Sequence, residues 1–329
     1  MLNKAIISLF LLFIVGSYCQ PVSIQFFYQW PGYDYINYQV VRLSDGKILQ
    51  NVTNINPDQY GIWGFLTTND TSEILLFGTA SNSIQVKSFW PSTDSFQQEF
   101  IASYPYSFTF ALQPLLWNPH TLTTYVPGLF FNENERAVLS LLEFKLDTAQ
   151  KTYPIELGIS DTTTTRFNSD PVGAYDGSNY YYVYFSIDNI DGLAQYSFSQ
   201  NTSKLVTFIE PVVPLKLHGI DQLYYFNGQL YYCKYVTLVG VTISTMSFDS
   251  GNVVVIYKDN NIATKGYQQN IQPFVFDPTT GTILILNTYN GNLYIDVFDI
   301  LTKTVIKSSS LPNTIPYETV MIAPSVQSN

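Results

Sequence analysis

His120 and His218 are the only two imidazoles in this 329-residue chain. Histidine is the side chain whose charge changes nearest to neutral pH, so a search for acid–base chemistry starts there. His120 sits in Asn118-Pro119-His120-Thr121, which reads as an exposed tight turn. His218 stands at a strand entrance in Lys216-Leu217-His218-Gly219-Ile220-Asp221, with a carboxylate three residues on, and is the better candidate. Two scattered histidines cannot build a three-histidine zinc site. Three arginines, Arg42, Arg136 and Arg166, are the only guanidinium groups available to grip an anion. Asp58, Asp170, Asp221 and Glu318 offer oxygen ligands of the kind calcium takes, although no spacing motif specifies such a site. The loop Gln29-Trp30-Pro31-Gly32-Tyr33-Asp34-Tyr35 presents large rigid aromatic groups suited to recognition at low entropic cost. No catalytic residue is assigned. The candidate ligand-binding set is Trp30, Tyr33, Tyr35, Arg166, His218 and Asp221.

The elements that must hold these residues begin after a leader. Asn3-Lys4 precede an apolar run from Ala5 to Val15, and Gly16-Ser17-Tyr18-Cys19 supplies small residues for signal-peptidase cleavage after Cys19. About eleven apolar residues are too few for a membrane span, which needs roughly twenty. Residues 20–329 are read as one secreted, extracellular domain, expected to be monomeric. Asn51-Val52-Thr53, Asn69-Asp70-Thr71 and Asn201-Thr202-Ser203 satisfy the glycosylation sequon, each beside a predicted turn or strand end. Cleavage leaves Cys233 alone, within the strand Leu230–Tyr235, where it reads as a small buried apolar residue. The formal net charge of −10 argues against nucleic acid and anionic membrane surfaces as partners.

Helical periodicity is absent, and short β-rich runs recur between turn signals, as in Ile74–Phe77, Tyr180–Phe185, Val253–Tyr257 and Ile283–Leu286. One turn repeats at a larger period, around Asp45, Asp94, Asp147, Gln200, Asp249 and Asp299, with steps of 49, 53, 53, 49 and 50 residues. A second turn keeps its own phase, at Asn69-Asp70, Asn118-Pro119, Asp176-Gly177, Asn227-Gly228 and Asp277-Pro278. Two tight turns in about fifty residues give four strands per repeat, which is a propeller blade. Ser23–Tyr28 aligns with the second strand of a repeat, and Tyr317–Pro324 with the first. The tail therefore completes the blade that the head begins, and the expected fold is an all-β, six-bladed β-propeller, with seven blades as the variant.

The repeat thus resembles secreted β-propeller proteins in general and no single named family. Sialidases are set apart by an arginine triad and Ser-x-Asp-x-Gly-x-Thr-Trp boxes, neither of which this sequence carries. Six-bladed lactonases of the paraoxonase and gluconolactonase kind hold calcium in the channel, and the resemblance to them is of architecture alone. Ligands are expected on the face with the longer loops. Two functions follow from this: recognition of an extracellular protein or carbohydrate, and, as the alternative, a calcium-dependent lactonase- or esterase-like hydrolase.

Overall fold

The computed structural model describes residues 23–29, 36–55, 61–67, 73–80, 83–103, 108–109, 117–118, 123–134, 136–145, 154–162, 167–188, 190–207, 219–236, 240–259, 273–278, 280–289, 292–311 and 320–324. Blade 1 contains β1 (Ser23–Gln29), β2 (Ile36–Arg42) and β3 (Ile48–Ile55). Blade 2 runs β4 (Gly61–Thr67), β5 (Ile74–Ala80), β6 (Ser83–Trp90) and β7 (Ser95–Ser103). In blade 3, two short strands, β8 (Phe108–Thr109) and β9 (Trp117–Asn118), share the innermost position beside β10 (Thr123–Phe131), followed by β11 (Ala137–Lys145) and β12 (Ile155–Ser160). Blade 4 is β13 (Val172–Tyr175), β14 (Tyr180–Ile187), β15 (Ile190–Ser197) and β16 (Thr202–Thr207). Blade 5 is β17 (Gly219–Phe226), β18 (Gln229–Val236), β19 (Gly240–Met246) and β20 (Val253–Asp259). Blade 6 is β21 (Phe274–Asp277), β22 (Thr282–Tyr289), β23 (Asn292–Asp299) and β24 (Thr304–Leu311).

The last strand, β25 (Val320–Pro324), closes the ring. It pairs antiparallel with β1, from Ile24 against Pro324 to Tyr28 against Val320, and gives blade 1 the order β25-β1-β2-β3. The innermost edge of the first blade is thereby covered by backbone from the end of the chain. The chain is a six-bladed β-propeller, with the clasp that the alignment of head and tail predicts.

The repeated turn joins the third and fourth strands. Its marks at Asp45, Asp94, Gln200, Asp249 and Asp299 fall in or directly before that turn, while Asp147 lies outside the described residues. Each of the five described copies contains a residue in the left-handed region: Gly46, Asp94, Asn201, Gly251 and Lys303, with φ of 69°, 49°, 52°, 64° and 57°. Left-handed backbone favours glycine, asparagine and aspartate, so Lys303 is the strained copy. Its amide still donates to the Asp299 carbonyl at 2.8 Å, as Gly251 does to Ser247 at 3.0 Å and Gly46 to Arg42 at 3.0 Å. After the turn, the outermost strand carries one extra residue against the third strand in blades 1, 2, 5 and 6, at Leu49, Glu99, Ile256 and Ile306. Such bulges bend the free edge away from flat pairing.

Side chains alternate across each blade, so every seam between blades receives residues from two sheets. Phe27 and Tyr38 meet Phe65 and Phe89 between blades 1 and 2, and Phe77 meets Phe144 between blades 2 and 3 at 5.3 Å between ring centroids. Leu139, Leu141 and Leu157 pack on Tyr181, Val183 and Phe185 between blades 3 and 4. Tyr184 and Leu193 pack on Leu223 and Tyr232 between blades 4 and 5, and Tyr224 and Cys233 on Phe274 and Ile285 between blades 5 and 6. Ile24, Phe26 and Val41 meet Leu284 and Ile295 where blade 6 returns to blade 1. Hydroxyls stitch two of these seams, with Tyr181 donating to the Tyr125 carbonyl at 3.1 Å and Tyr224 to the Phe274 carbonyl at 3.1 Å. The high tyrosine content has a structural outlet here: a large flat ring fills the seam, and its polar tip satisfies a neighbouring backbone.

Candidate functional site

Strand order fixes what each face can carry. Turns between first and second and between third and fourth strands lie on one face. Loops between second and third strands, and the links from blade to blade, lie on the other. Among the residues singled out from sequence, Trp30, Tyr33, Tyr35, Arg166 and His218 lie outside the described residues, as does Asn69. Asp221 is described, and it anchors a polar cluster at the seam of blades 4 and 5.

Asp221 is near the start of β17, on the innermost strand of blade 5, and is 8% exposed. Register places Lys234 of β18 directly opposite. The Lys234 ammonium lies 3.4 Å from Asp221 Oδ1, and the Tyr232 hydroxyl donates to the same oxygen at 2.6 Å. Both partners are themselves largely buried, so the carboxylate has exchanged water for a cation and a phenol. Across the seam, the Tyr184 ring of blade 4 lies 4.5 Å from the Tyr232 ring. Burial, then the charges of Asp221 and Asp191, hold the Tyr184 phenol well above its ordinary pKa. Burial, Asp221 and Tyr184 do the same to Tyr232. Both phenols are therefore neutral hydrogen-bonding groups at any physiological pH.

Three buried polar atoms around this seam and the adjoining strands have no hydrogen bond: Tyr184 Oη, Gln222 Nε2 and Ser244 Oγ. Ser244 is directly opposite Tyr232 on β19, so it shares the face that meets blade 4. Gln222 follows Asp221 and projects to the other side of β17. Buried groups of this kind cost roughly 1–3 kcal/mol each when left unpaired and stand out against the usual near-complete pairing. Asp191 enters from the hairpin that Asp188, at φ 48°, turns between β14 and β15, and is opposite Ser186. The structure thus brings together Asp191 of blade 4 and Asp221 of blade 5, whose charges both act on Tyr184. Among the described residues there is no group of three or more His, Cys, Asp or Glu side chains placed to hold a metal ion.

Other polar loop residues are occupied locally. Asn132 Oδ1 accepts from the amides of Asn134 and Arg136 at 3.0 and 3.1 Å, which folds that loop on itself. Arg42 is on the third strand of blade 1, away from the channel, and pairs with Asp45 at 3.3 Å. Cys233 is completely buried in the seam between blades 5 and 6, where burial pushes its thiol up.

No family model matches this chain, and no curated protein does. Solved structures do share its architecture. A TolB from Acinetobacter baumannii superposes with a TM-score of 0.54 at 11% identity, over 92% of this chain and 66% of that one. A protein from Lactobacillus plantarum gives 0.52 at 9% identity, over 91% and 99%. Likeness at such identities establishes the propeller. It does not carry an activity across, because unrelated sites are built on one fold. No helix among the described residues is long and apolar enough to cross a membrane.

Proposed function

We propose that this chain is a secreted glycoprotein propeller that acts as an extracellular recognition module for a protein or carbohydrate, with its ligand at the seam of blades 4 and 5. The observation that supports this is the state of Asp221: its carboxylate is already met by Lys234 and Tyr232. A hydrolase that uses calcium needs carboxylates free to enter the coordination shell, and an ammonium 3.4 Å away competes for that place. Binding needs donors and acceptors fixed in advance, and Tyr184, its phenol held neutral by burial and its hydroxyl unpaired, supplies one. Trp30, Tyr33, Tyr35, Arg166 and His218 are carried forward from the sequence as further contact candidates.

The test is to purify the protein from the medium of a eukaryotic secretory host and probe glycan and protein arrays. The same sample is assayed against lactone and ester panels with calcium and with chelator. Expected is saturable binding weakened at least tenfold by Asp191→Asn, without turnover. Calcium-dependent hydrolysis abolished by chelator would establish the hydrolase instead.

A further inference from the structure

The turn between first and second strands is built differently in blades 4 and 5. In blade 4 it contains Asp176-Gly177, and the Asp176 carboxylate is held fast. Its Oδ1 accepts from the amides of Ser178, Asn179 and Tyr180 at 2.8, 2.9 and 3.0 Å, and its Oδ2 from the Ser178 hydroxyl at 3.0 Å. In blade 5 the same position holds Asn227-Gly228, the two residues that join β17 to β18, with Phe226 directly opposite Gln229 at the base of the turn. Both have left-handed backbone, with φ of 48° and 79°, as a two-residue hairpin turn requires. Both are exposed, and a Cβ added at Gly228 would meet nothing within 4 Å. Among the described residues, no hydrogen bond holds the Asn227 carboxamide or the Gly228 amide.

Asparagine is a thermolabile side chain. Its decay begins when the amide nitrogen of the next residue attacks the carboxamide carbon and closes a five-membered ring. A Cβ on that next residue crowds the ring closure, and glycine has none. Asn227 is the one asparagine among the described residues that precedes a glycine. Asn51, Asn179 and Asn252 precede the bulky Val52, Tyr180 and Val253. The chain's other Asn-Gly step, Asn290-Gly291, lies outside the described residues.

We propose that Asn227 is a site of spontaneous deamidation in the folded propeller, a modification that accumulates with the age of the molecule and loosens blade 5 against blade 6. The Gly228 nitrogen, giving up its proton, bonds to Asn227 Cγ; the Cγ–Nδ2 bond breaks, and ammonia leaves with that proton. Water then opens the cyclic imide. Cleavage at Cγ leaves aspartate, and cleavage at the main-chain carbonyl leaves isoaspartate, with the chain now running through Cβ and Cγ. Either product adds a negative charge to a chain whose formal net is already −10. Isoaspartate also lengthens the backbone inside a two-residue turn. The neighbouring Phe226 seats its ring against Gly281 of blade 6, where a Cβ would come within 2.7 Å of it, and lies 5.7 Å from the Phe276 ring. Lengthening the turn beside Phe226 therefore disturbs the tight-turn end of that seam.

The test is to keep the purified full chain native in heavy-oxygen water at mildly alkaline pH and map its peptides after digestion with an acid protease. Heavy oxygen marks only what converted before digestion. The peptide containing Asn227 should take it up at least tenfold faster than those containing Asn179 or Asn252, and faster as pH rises, because the attacking nitrogen must lose its proton. Isoaspartate methyltransferase should label the same peptide. Amides flanking the turn, from Phe226 to Leu230, should exchange hydrogen faster in aged protein than in fresh. The Asn227→Gly variant keeps a residue suited to left-handed backbone but has no carboxamide, and its turn should exchange alike before and after ageing. Asn227 that stays intact while the protein is native, or converts no faster than Asn179 and Asn252, overturns the site. Exchange that is unchanged after conversion, or that quickens equally in Asn227→Gly, overturns the loosening of the seam.

Discussion

Replacing Asp221 by Asn tests whether the polar seam between blades 4 and 5 is as closely coupled as its geometry implies. Lys234 has a side chain only 12% exposed and an ammonium 3.4 Å from Asp221 Oδ1. Asparagine keeps the shape and one acceptor for Tyr232 but removes the charge that offsets the ammonium. Taking one partner from a buried pair costs about 3–5 kcal/mol, mostly through the uncompensated charge left behind. Lys234→Met alone should cost a similar amount for the mirrored reason. Made together, the two changes remove both charges and leave volume nearly unchanged, so the double variant should recover at least half of the summed loss, a coupling of about 3–5 kcal/mol. Equilibrium urea unfolding followed by tryptophan fluorescence reads this directly. With a slope near 3 kcal/mol per molar, each single variant moves the midpoint down by about 1–1.7 M. Single variants within about 0.5 kcal/mol of the parent, or strictly additive losses, would refute the reasoning, because the pair would then be solvated like a surface ion pair.

Alkaline titration should separate the tyrosines. Burial first, then Asp259 and Asp296, push the Tyr257 phenol up to about 12, and burial raises Tyr181, Tyr224 and Tyr232 further in direction. A raised folded-state pKa gives stability that is present below the unfolded value near 10 and is lost as pH climbs through the folded value. Absorbance near 295 nm should therefore lag behind a model-peptide curve above pH 10 and then rise with loss of the near-ultraviolet dichroism; smooth titration of all tyrosines near 10 would contradict the burial. Gly192→Ala should destabilise the protein by about 1–3 kcal/mol, since the added Cβ would come within 2.2 Å of the Phe185 ring, and thermal melting measures it. Cys233 should resist alkylation in native protein for hours and react at once in denaturant, because it is fully buried with its thiol pushed up; rapid native labelling would show that its seam opens.

The blade count and the clasp were legible because they are written as periodicities. Turn chemistry around Asp45, Asp249 and Asp299 recurs near fifty residues, and left-handed backbone at Gly46, Gly251 and Lys303 gives it a physical cause. The head and tail could be aligned to second and first strands because a propeller strand keeps the same pattern in every repeat. Asp221 was legible as a carboxylate beside an inner strand, but its partners were not. Lys234 reaches it only through the hairpin register, and Tyr184 comes from another blade. Nothing along one strand announces a partner that arrives through the stacking of two sheets. Tyr181, Tyr182 and Tyr224 are buried, yet a run of tyrosines does not say which hydroxyl will find a carbonyl and which, like Tyr184, will find none. For the aromatic loop at Trp30 and for His218 the sequence remains the source of the assignment.

The pairing of β1 with β25 has a consequence for how the molecule is made. The hairpin of β1 and β2 leaves the ribosome early, with its inner border lacking a neighbour until the final segment emerges. Five blades can form in order from contiguous chain, whereas blade 1 must wait. The contact that completes the ring spans almost the whole polypeptide, so its formation carries the largest loop-closure entropy and should be the slow, late event of maturation. During that interval the first hairpin is the part of the nascent protein that most needs a chaperone.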